Sequence, residues 1–451
     1  MTTFLMQKKL LHLVYAMVLL VLMRLWRFNM DFDKTILAQG CVLEGDIGLH
    51  RPNDNVAGVG ISGGGKSLSL EYPTMLRMEH SSMIATFGKP IEALKMAAYK
   101  RKQGYHVQIC NLDNPDDGDV FFDPVQYIES FDDITATSRK IVLSTIQNTK
   151  DDYWQLKAIP VSDCLIEGAL RTIDDASMPD VLNLFDELTE SENSTGISDR
   201  LLSMYRLLRE HDPYCSAVRQ FYAFYNLNRR AEKTGSCIVD TLDAAYNTVF
   251  PESVRKAMRE KPSIDFRRLA TEKTALFIIC SPVKTSLHHF ANFIYDTAIK
   301  VLLSYAQEFE DGKLPRKVKM FFDDFGCTAP IQSFPEHISI FRSAGLSVML
   351  LLQSESMLQS IYGEEKAATI LNNCSSYVYF PGGMDRQTCK SVSERMNMPL
   401  DDVMYAPVGD VFIMRSGNKP VVKQRYDIFN DPCYQEMMQC SPHRKKNKKS
   451  E

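Results

Sequence analysis

Short apolar runs bounded by glycine and polar residues alternate with longer stretches in which apolar positions recur every three or four residues. Val56–Val59 is the first clear run; residues 68–78 then read as a helix, 83–86 as a buried strand, 91–103 as a helix and 104–112 as a strand. Ahead of them, residues 35–55 mix short apolar pieces with Gly and Asp, the pattern of a small hairpin. This order predicts a parallel sheet with right-handed crossovers. From about residue 127 to 259 the pattern changes: Ala, Leu, Ile, Tyr and charged residues recur at helical spacing, with few β-branched runs. That stretch predicts an inserted all-α domain. The strand pattern returns at 276–280, 320–322, 347–352 and 377–380, so one sheet is split by the insertion. No repeat of fixed period is visible.

The division that follows is an N-terminal segment (1–30), an α/β domain in two parts (31–127 and 261–430), the all-α domain (128–260) and a basic tail (431–451). Residues 10–25 are almost wholly apolar, broken by His12 and Arg24 and flanked by Lys8, Lys9, Trp26 and Arg27. A bilayer span needs about 20 residues. This stretch reaches that length only by recruiting its flanks, with Lys and Arg snorkelling and Trp26 at the interface. A single membrane pass is the expectation, against a cleaved signal peptide, which lacks a small-residue cleavage site here, or an amphipathic helix docked on a partner. Charge on both flanks leaves its direction open; the expected placement puts the bulk of the chain in the cytoplasm.

With 451 residues, 45% of them hydrophobic, the chain can bury large cores. A net charge of −4 excludes a strongly basic nucleic-acid binder, so any contact with DNA is local. The eleven cysteines stand singly, with no zinc-like or disulfide-like spacing, in keeping with a reducing compartment. Residues 443–449 are basic and polar, a run suited to DNA phosphates, to acidic lipid or to plain solvation.

Residues 60–67 read Gly-Ile-Ser-Gly-Gly-Gly-Lys-Ser, a full phosphate-binding loop between a strand and a helix. Gly60, Ser62, Gly63, Gly64 and Gly65 let backbone N–H groups converge on an anion; Lys66 can reach the β and γ phosphates of ATP, and Ser67 can hold Mg²⁺. Such a site needs a carboxylate at the end of a neighbouring strand. Lys319-Met-Phe-Phe-Asp-Asp supplies Asp323 on the metal side, with Asp324 next to it in the place of a base that positions water. Gln353 closes the strand 347–352 at the carboxyl edge of the sheet, as a γ-phosphate sensor or a strand-end cap. Arg342 and Arg386 are candidates for a finger reaching a neighbouring subunit, or for ordinary surface ion pairs.

Several stretches together resemble the type IV coupling proteins, the conjugative DNA-transfer ATPases of type IV secretion systems. They are the phosphate loop; Gly104-Tyr-His-Val-Gln-Ile-Cys-Asn-Leu with Asp123-Pro-Val-Gln-Tyr-Ile; Tyr153-Trp154; Ala231-Glu-Lys-Thr-Gly-Ser-Cys-Ile; Ser263-Ile-Asp-Phe; and Glu272-Lys-Thr-Ala-Leu-Phe. Further on come Phe322-Asp-Asp-Phe; Phe341-Arg-Ser-Ala-Gly with Leu351-Leu-Gln-Ser; and Leu371-Asn-Asn-Cys followed by Gly382-Gly-Met-Asp-Arg-Gln-Thr. The resemblance implies an α/β, RecA-like P-loop domain split by an all-α domain. It also implies a homo-oligomeric ring tethered to the membrane, with secretion-channel proteins as partners, and relaxase-bound or free single-stranded DNA as cargo. Three features depart from that family: Asp324 where glutamate is usual, Thr86-Phe-Gly-Lys-Pro where an acidic-proline-lysine-glycine turn is usual, and one short apolar segment instead of two membrane helices. The first two leave open a nucleotide-binding receptor or scaffold with little hydrolysis. A septal chromosome translocase is disfavoured, since neither a long linker nor a DNA-reading tail domain is present.

Overall fold

The structure is a computed structural model that describes residues 33–44, 53–143, 153–189, 197–284, 286–325, 330, 331 and 333–441. The expected membrane segment at 1–30 and the basic run from 443 lie outside these residues. Among the described residues no helix is long and apolar enough to cross a membrane.

A small antiparallel pair, β1 (Lys34–Ala38) and β2 (Cys41–Glu44), stands apart from the main sheet, as the hairpin pattern predicts. The chain then enters β3 (Val56–Val59), the phosphate-loop strand. After a wide turn at Ser67–Glu71 come α1 (Tyr72–Arg77), β4 (Ser82–Phe87), α2 (Pro90–Lys102) and β5 (His106–Asn111). Each predicted strand and helix of this part is present, with ends shifted by a few residues at most. Pro90 opens α2 because its missing N–H falls where a helix has no acceptor.

Among the described residues seven helices follow: α3 (Phe131–Leu143), α4 (Tyr153–Thr172), α5 (Met178–Thr189), α6 (Asp199–His211), α7 (Ser216–Arg230), α8 (Glu232–Val249) and α9 (Glu252–Glu260). The chain leaves and re-enters the sheet at one clamp: Phe121 pairs with Ser263 in a parallel bridge, the Phe121 N–H donating to Pro262 O and the Ile264 N–H to Phe121 O. Asp123 closes the joint by accepting N–H bonds from Val125 at 2.9 Å and from Met178, the first residue of α5. At the centre of the helices the rings of Tyr205 and Phe221 stack 3.7 Å apart, and the Tyr205 hydroxyl donates to Cys164 O on α4.

The second half runs α10 (Phe266–Thr271), β6 (Thr274–Ile279), α11 (Ser286–Ala306), β7 (Val318–Phe322), α12 (Phe334–His337), α13 (Phe341–Ala344), β8 (Leu346–Leu352), α14 (Glu355–Tyr362), α15 (Glu364–Asn372), β9 (Ser376–Tyr379), α16 (Arg386–Met396) and α17 (Leu400–Met404). β10 (Asp410–Arg415), β11 (Val421–Gln424) and α18 (Pro432–Gln439) complete it. The main sheet has the order β11-β10-β9-β3-β8-β7-β4-β6-β5. The seven strands from β9 to β5 are parallel, and β10 and β11 add an antiparallel edge. Their residues alternate between two apolar layers. Ala57, Val59, Ile84, Leu350 and Phe322 share a layer with the helices α3–α9, and Val56, Met83, Ala85, Phe321 and Leu351 face α1 and α2. One hydrophobic cluster is therefore continuous from the sheet into the helical segment.

The edge pair β10–β11 is absent from the sequence expectation. All four residues of β11 are exposed, so no buried apolar run marks it. The tail expected from 431 begins instead with α18, where Met437 and the following Cys440 are buried, because Asp431 pairs with Arg77 and anchors the helix to α1.

Candidate nucleotide site

Register sets the site. Val59 lies level with Leu352, and the Gly60 N–H donates to Leu352 O, so the phosphate loop starts beside Gln353. On the other side of β8, Phe322 pairs with Leu350, and the Phe325 N–H donates to Leu351 O, which brings Asp323 and Asp324 to the same edge. The strand carrying the amide thus lies between the loop strand and the acid strand.

The glycines are needed where they stand. A Cβ on Gly60 would lie 2.8 Å from Phe380 O, and Gly63 and Gly65 have φ of +78° and +87°. Around this loop the buried Lys66 amine donates to Gly60 O at 2.6 Å and Ile61 O at 3.0 Å. The Ser67 hydroxyl donates to Asp323 Oδ1 at 3.1 Å across 256 residues of sequence. Gln353 Nε2 donates to Asp324 Oδ1 at 3.2 Å, and Asp324 takes a left-handed φ of +53°. Such a backbone in a residue with a Cβ costs about 1–3 kcal/mol and clusters at functional sites.

These groups face a cavity of about 730 Å³ lined by Ser62, Gly63, Gly65, Lys66, Ser67, Asp323, Asp324 and Gln353. Gly60 and Gly64 shape the loop without lining the cavity. Arg386 opens α16 and Arg342 lies on α13; both are exposed and outside the cavity lining. Asp323 opens onto the cavity, but desolvation by the protein around it, and then the charge of Asp324, raise its carboxyl above the ordinary range. The Ser67 hydrogen bond and the Lys66 charge oppose that rise.

Two side chains escape the sequence reading. Glu71, one turn after Ser67, lines the same cavity, is 1% exposed and has no hydrogen-bond partner for either carboxylate oxygen among the described residues. Burial first, then the charges of Asp323, Asp324 and Glu92, push its carboxyl well above the ordinary range. Arg425, just past β11, places Nη1 3.3 Å from where a Cβ on Gly65 would be. Its position was illegible because the exposed edge strand just before it was.

The residues fit a magnesium nucleotide. The glycines leave room that a Cβ would fill, a lysine and a hydroxyl sit at the loop, and carboxylates stand at the adjacent strand end. Among the described residues no group of three or more His, Cys, Asp or Glu could hold a metal without such a ligand.

Fold and site together define a P-loop, ATPase-type nucleotide-binding protein. A family model described as Type IV secretory system Conjugative DNA transfer matches residues 33–398, and the chain belongs to that family. Similar solved structures include the bacterial conjugative coupling protein TrwBdeltaN70 in its unbound monoclinic form, at 17% identity and a TM-score of 0.62, covering 90% of this chain and 91% of that one. Its trigonal form in complex with sulphate is 19% identical with a TM-score of 0.60, covering 83% and 85%. The plasmid coupling protein TrwB in complex with ADP and Mg²⁺ is 17% identical with a TM-score of 0.60, covering 82% and 85%. At these identities the likeness concerns the fold. No curated protein matches the chain.

Proposed function

We propose that the chain is a coupling ATPase of a type IV secretion system, which recruits relaxase-bound DNA and couples ATP hydrolysis to its conjugative export. The observation that carries this reading is the Ser67–Asp323 hydrogen bond at the mouth of the cavity, in a chain matched over residues 33–398 by a conjugative DNA-transfer family. In this reading the loop N–H groups from Gly60 to Gly65 and the Lys66 amine cradle the phosphates, and Ser67 and Asp323 hold Mg²⁺. A metal held there would offset the charge that develops on the phosphates. Asp324, already joined to Gln353, orients the attacking water, and Gln353 senses the γ phosphate. Arg386, exposed at the start of α16, reaches the site of the next subunit in a homo-oligomeric ring. Residues 1–30 tether the ring to the cell membrane by a single pass, with the bulk of the chain cytoplasmic.

A second reading, a nucleotide-binding receptor or scaffold with weak turnover, is favoured by one feature. Asp324 is a methylene shorter than glutamate, and Gln353 already occupies one of its oxygens. Full-length protein in detergent should hydrolyse ATP faster when single-stranded DNA is added, and Lys66→Ala should stay at background. Tight ATP binding without turnover, with turnover gained in Asp324→Glu, would move the conclusion to the receptor.

A further inference from the structure

A buried carboxylate without a partner is costly to a fold, because its oxygens lose water and gain no donor in exchange, and such a group beside a cavity calls for an explanation. Glu71 is such a group: both its oxygens are buried and lack a hydrogen bond among the described residues. Its surroundings could have satisfied it and do not. Tyr72, next in sequence, donates its hydroxyl to Glu92 Oε2 at 2.6 Å, and Lys89 donates to Glu92 Oε1 at 3.2 Å, so the neighbouring acid takes both donors. On the cavity side the nearest charges include Asp323 and Asp324, which repel it. Among the described residues no other element brings it a donor. A cation or its water shell, entering the cavity that Glu71 lines together with the loop and the end of β7, would reverse the sign of that environment.

The backbone supports the same placement. The Tyr72 N–H donates to Ser67 O, five residues back, so the first turn after the phosphate loop is a wide π turn. Such turns are rare and recur at functional sites. Here the turn leaves Glu71, four residues after Ser67, on the wall of the same cavity and within reach of the charge of Asp323.

We propose that Glu71 is a positioning residue for the metal, accepting hydrogen bonds from its water shell on the helix side while Ser67 and Asp323 hold it from above. The inference rests on the nucleotide reading of this cavity and adds a residue that the phosphate-loop pattern does not contain. Outer-shell carboxylates of this kind typically change metal affinity by about 10–100-fold. Glu71 binds no substrate atom in this role; it fixes where the water shell sits.

The test is titration of the full-length protein with a fluorescent ATP analogue, with and without Mg²⁺. In wild type, Mg²⁺ strengthens binding. In Glu71→Gln the Mg²⁺-free affinity should stay within about twofold, whereas the gain from Mg²⁺ should fall about tenfold. The nucleotide-free variant should melt no lower than wild type, because an amide is cheaper to bury unpaired than a carboxylate. A full Mg²⁺ gain in a folded Glu71→Gln overturns the proposal and leaves Glu71 a buried acid. Should Glu71→Gln not fold, Glu71→Asp, which keeps the charge but withdraws it by a methylene, decides the matter: a loss of at least about threefold in the Mg²⁺ gain supports the proposal, and an unchanged gain overturns it. A wild type that binds the analogue with no Mg²⁺ gain overturns the proposal, and one that does not bind it overturns the nucleotide reading itself.

Discussion

The helix that follows the phosphate loop has a buried carboxylate at each end, and the two have opposite environments. At its start Glu71 is 1% exposed and unsatisfied. At its finish Asp431, 2% exposed, accepts from Arg77 Nη1 at 2.5 Å, from the Tyr426 hydroxyl at 2.9 Å and from the Cys433 N–H at 2.9 Å. Burial raises both carboxyls, but the Arg77 and Tyr426 hydrogen bonds bring Asp431 below the ordinary range, whereas the neighbours of Glu71 push it further up. The same residue chemistry thus marks two functions. A buried acid with donors on every side holds elements together, here α18 against α1. A buried acid with none, beside a cavity, is a place prepared for something that arrives later.

The widest break in this contrast should come from removing the satisfied acid. Asp431→Ala leaves Arg77, the Tyr426 hydroxyl and the Cys433 N–H without their acceptor. We expect a loss of about 2–3 kcal/mol in urea unfolding, with faster amide exchange in α18 and an unchanged affinity for nucleotide. A fall of about tenfold or more in nucleotide affinity would show that the two ends of α1 are not separable.

How much of this was legible in sequence depends on what each element must satisfy. The parallel strands are buried on both faces, so they appear as unbroken apolar runs such as Leu346–Leu352, and the loop glycines are fixed by φ and by the approach of Phe380. Asp323 and Asp324 are legible because they end such a run. β11 is not, since an exposed antiparallel edge needs no apolar pattern, whereas β10 carries a buried apolar run at residues 411–414 that the sequence reading misses. Glu71 is the instructive omission. A glutamate in a helix reads as solvent-facing, yet Leu70, Met75, Leu76 and Met78 around it are all fully buried, and Tyr72 nearly so. An acid inside a helix with no polar face to sit on was the available signal.

Across the cavity, Asp324 offers a finer test of the claim that this end of the helix faces strain held for function. Its φ of +53° suits glycine. Asp324→Gly should therefore raise the thermal stability of the nucleotide-free protein by about 1 kcal/mol, a few degrees or less in a chain of this size, while removing any turnover. Lower stability in Asp324→Gly would mean that the Gln353 hydrogen bond outweighs the backbone strain. In that case the cavity edge would resemble the Asp431 end more than the Glu71 end.

The smallest effect separates the two acids by the sign of their pH dependence. The folded-state pKa of Asp431 lies below its unfolded value of about 3.9. Its contribution is therefore complete above that value and disappears as pH falls through the folded value. The folded value of Glu71 lies above its unfolded value of about 4.3, so its ionisation costs nothing below about pH 4 and destabilises the fold increasingly as pH rises from there. Asp431→Asn should differ from wild type by a constant amount above about pH 5, and that difference should close as pH falls from the unfolded value of about 3.9 through the lower folded one. Its size should be about 1 kcal/mol or less, because the Arg77 side chain is 28% exposed and solvent screens the pair. Glu71→Gln should show the reverse: no difference from wild type at about pH 4 and a growing advantage toward about pH 7, which saturating Mg²⁺-ATP should shrink if the cation meets that carboxylate. Two parallel curves of the same sign would place both carboxylates in one class, and the difference between the ends of α1 would then be of degree alone.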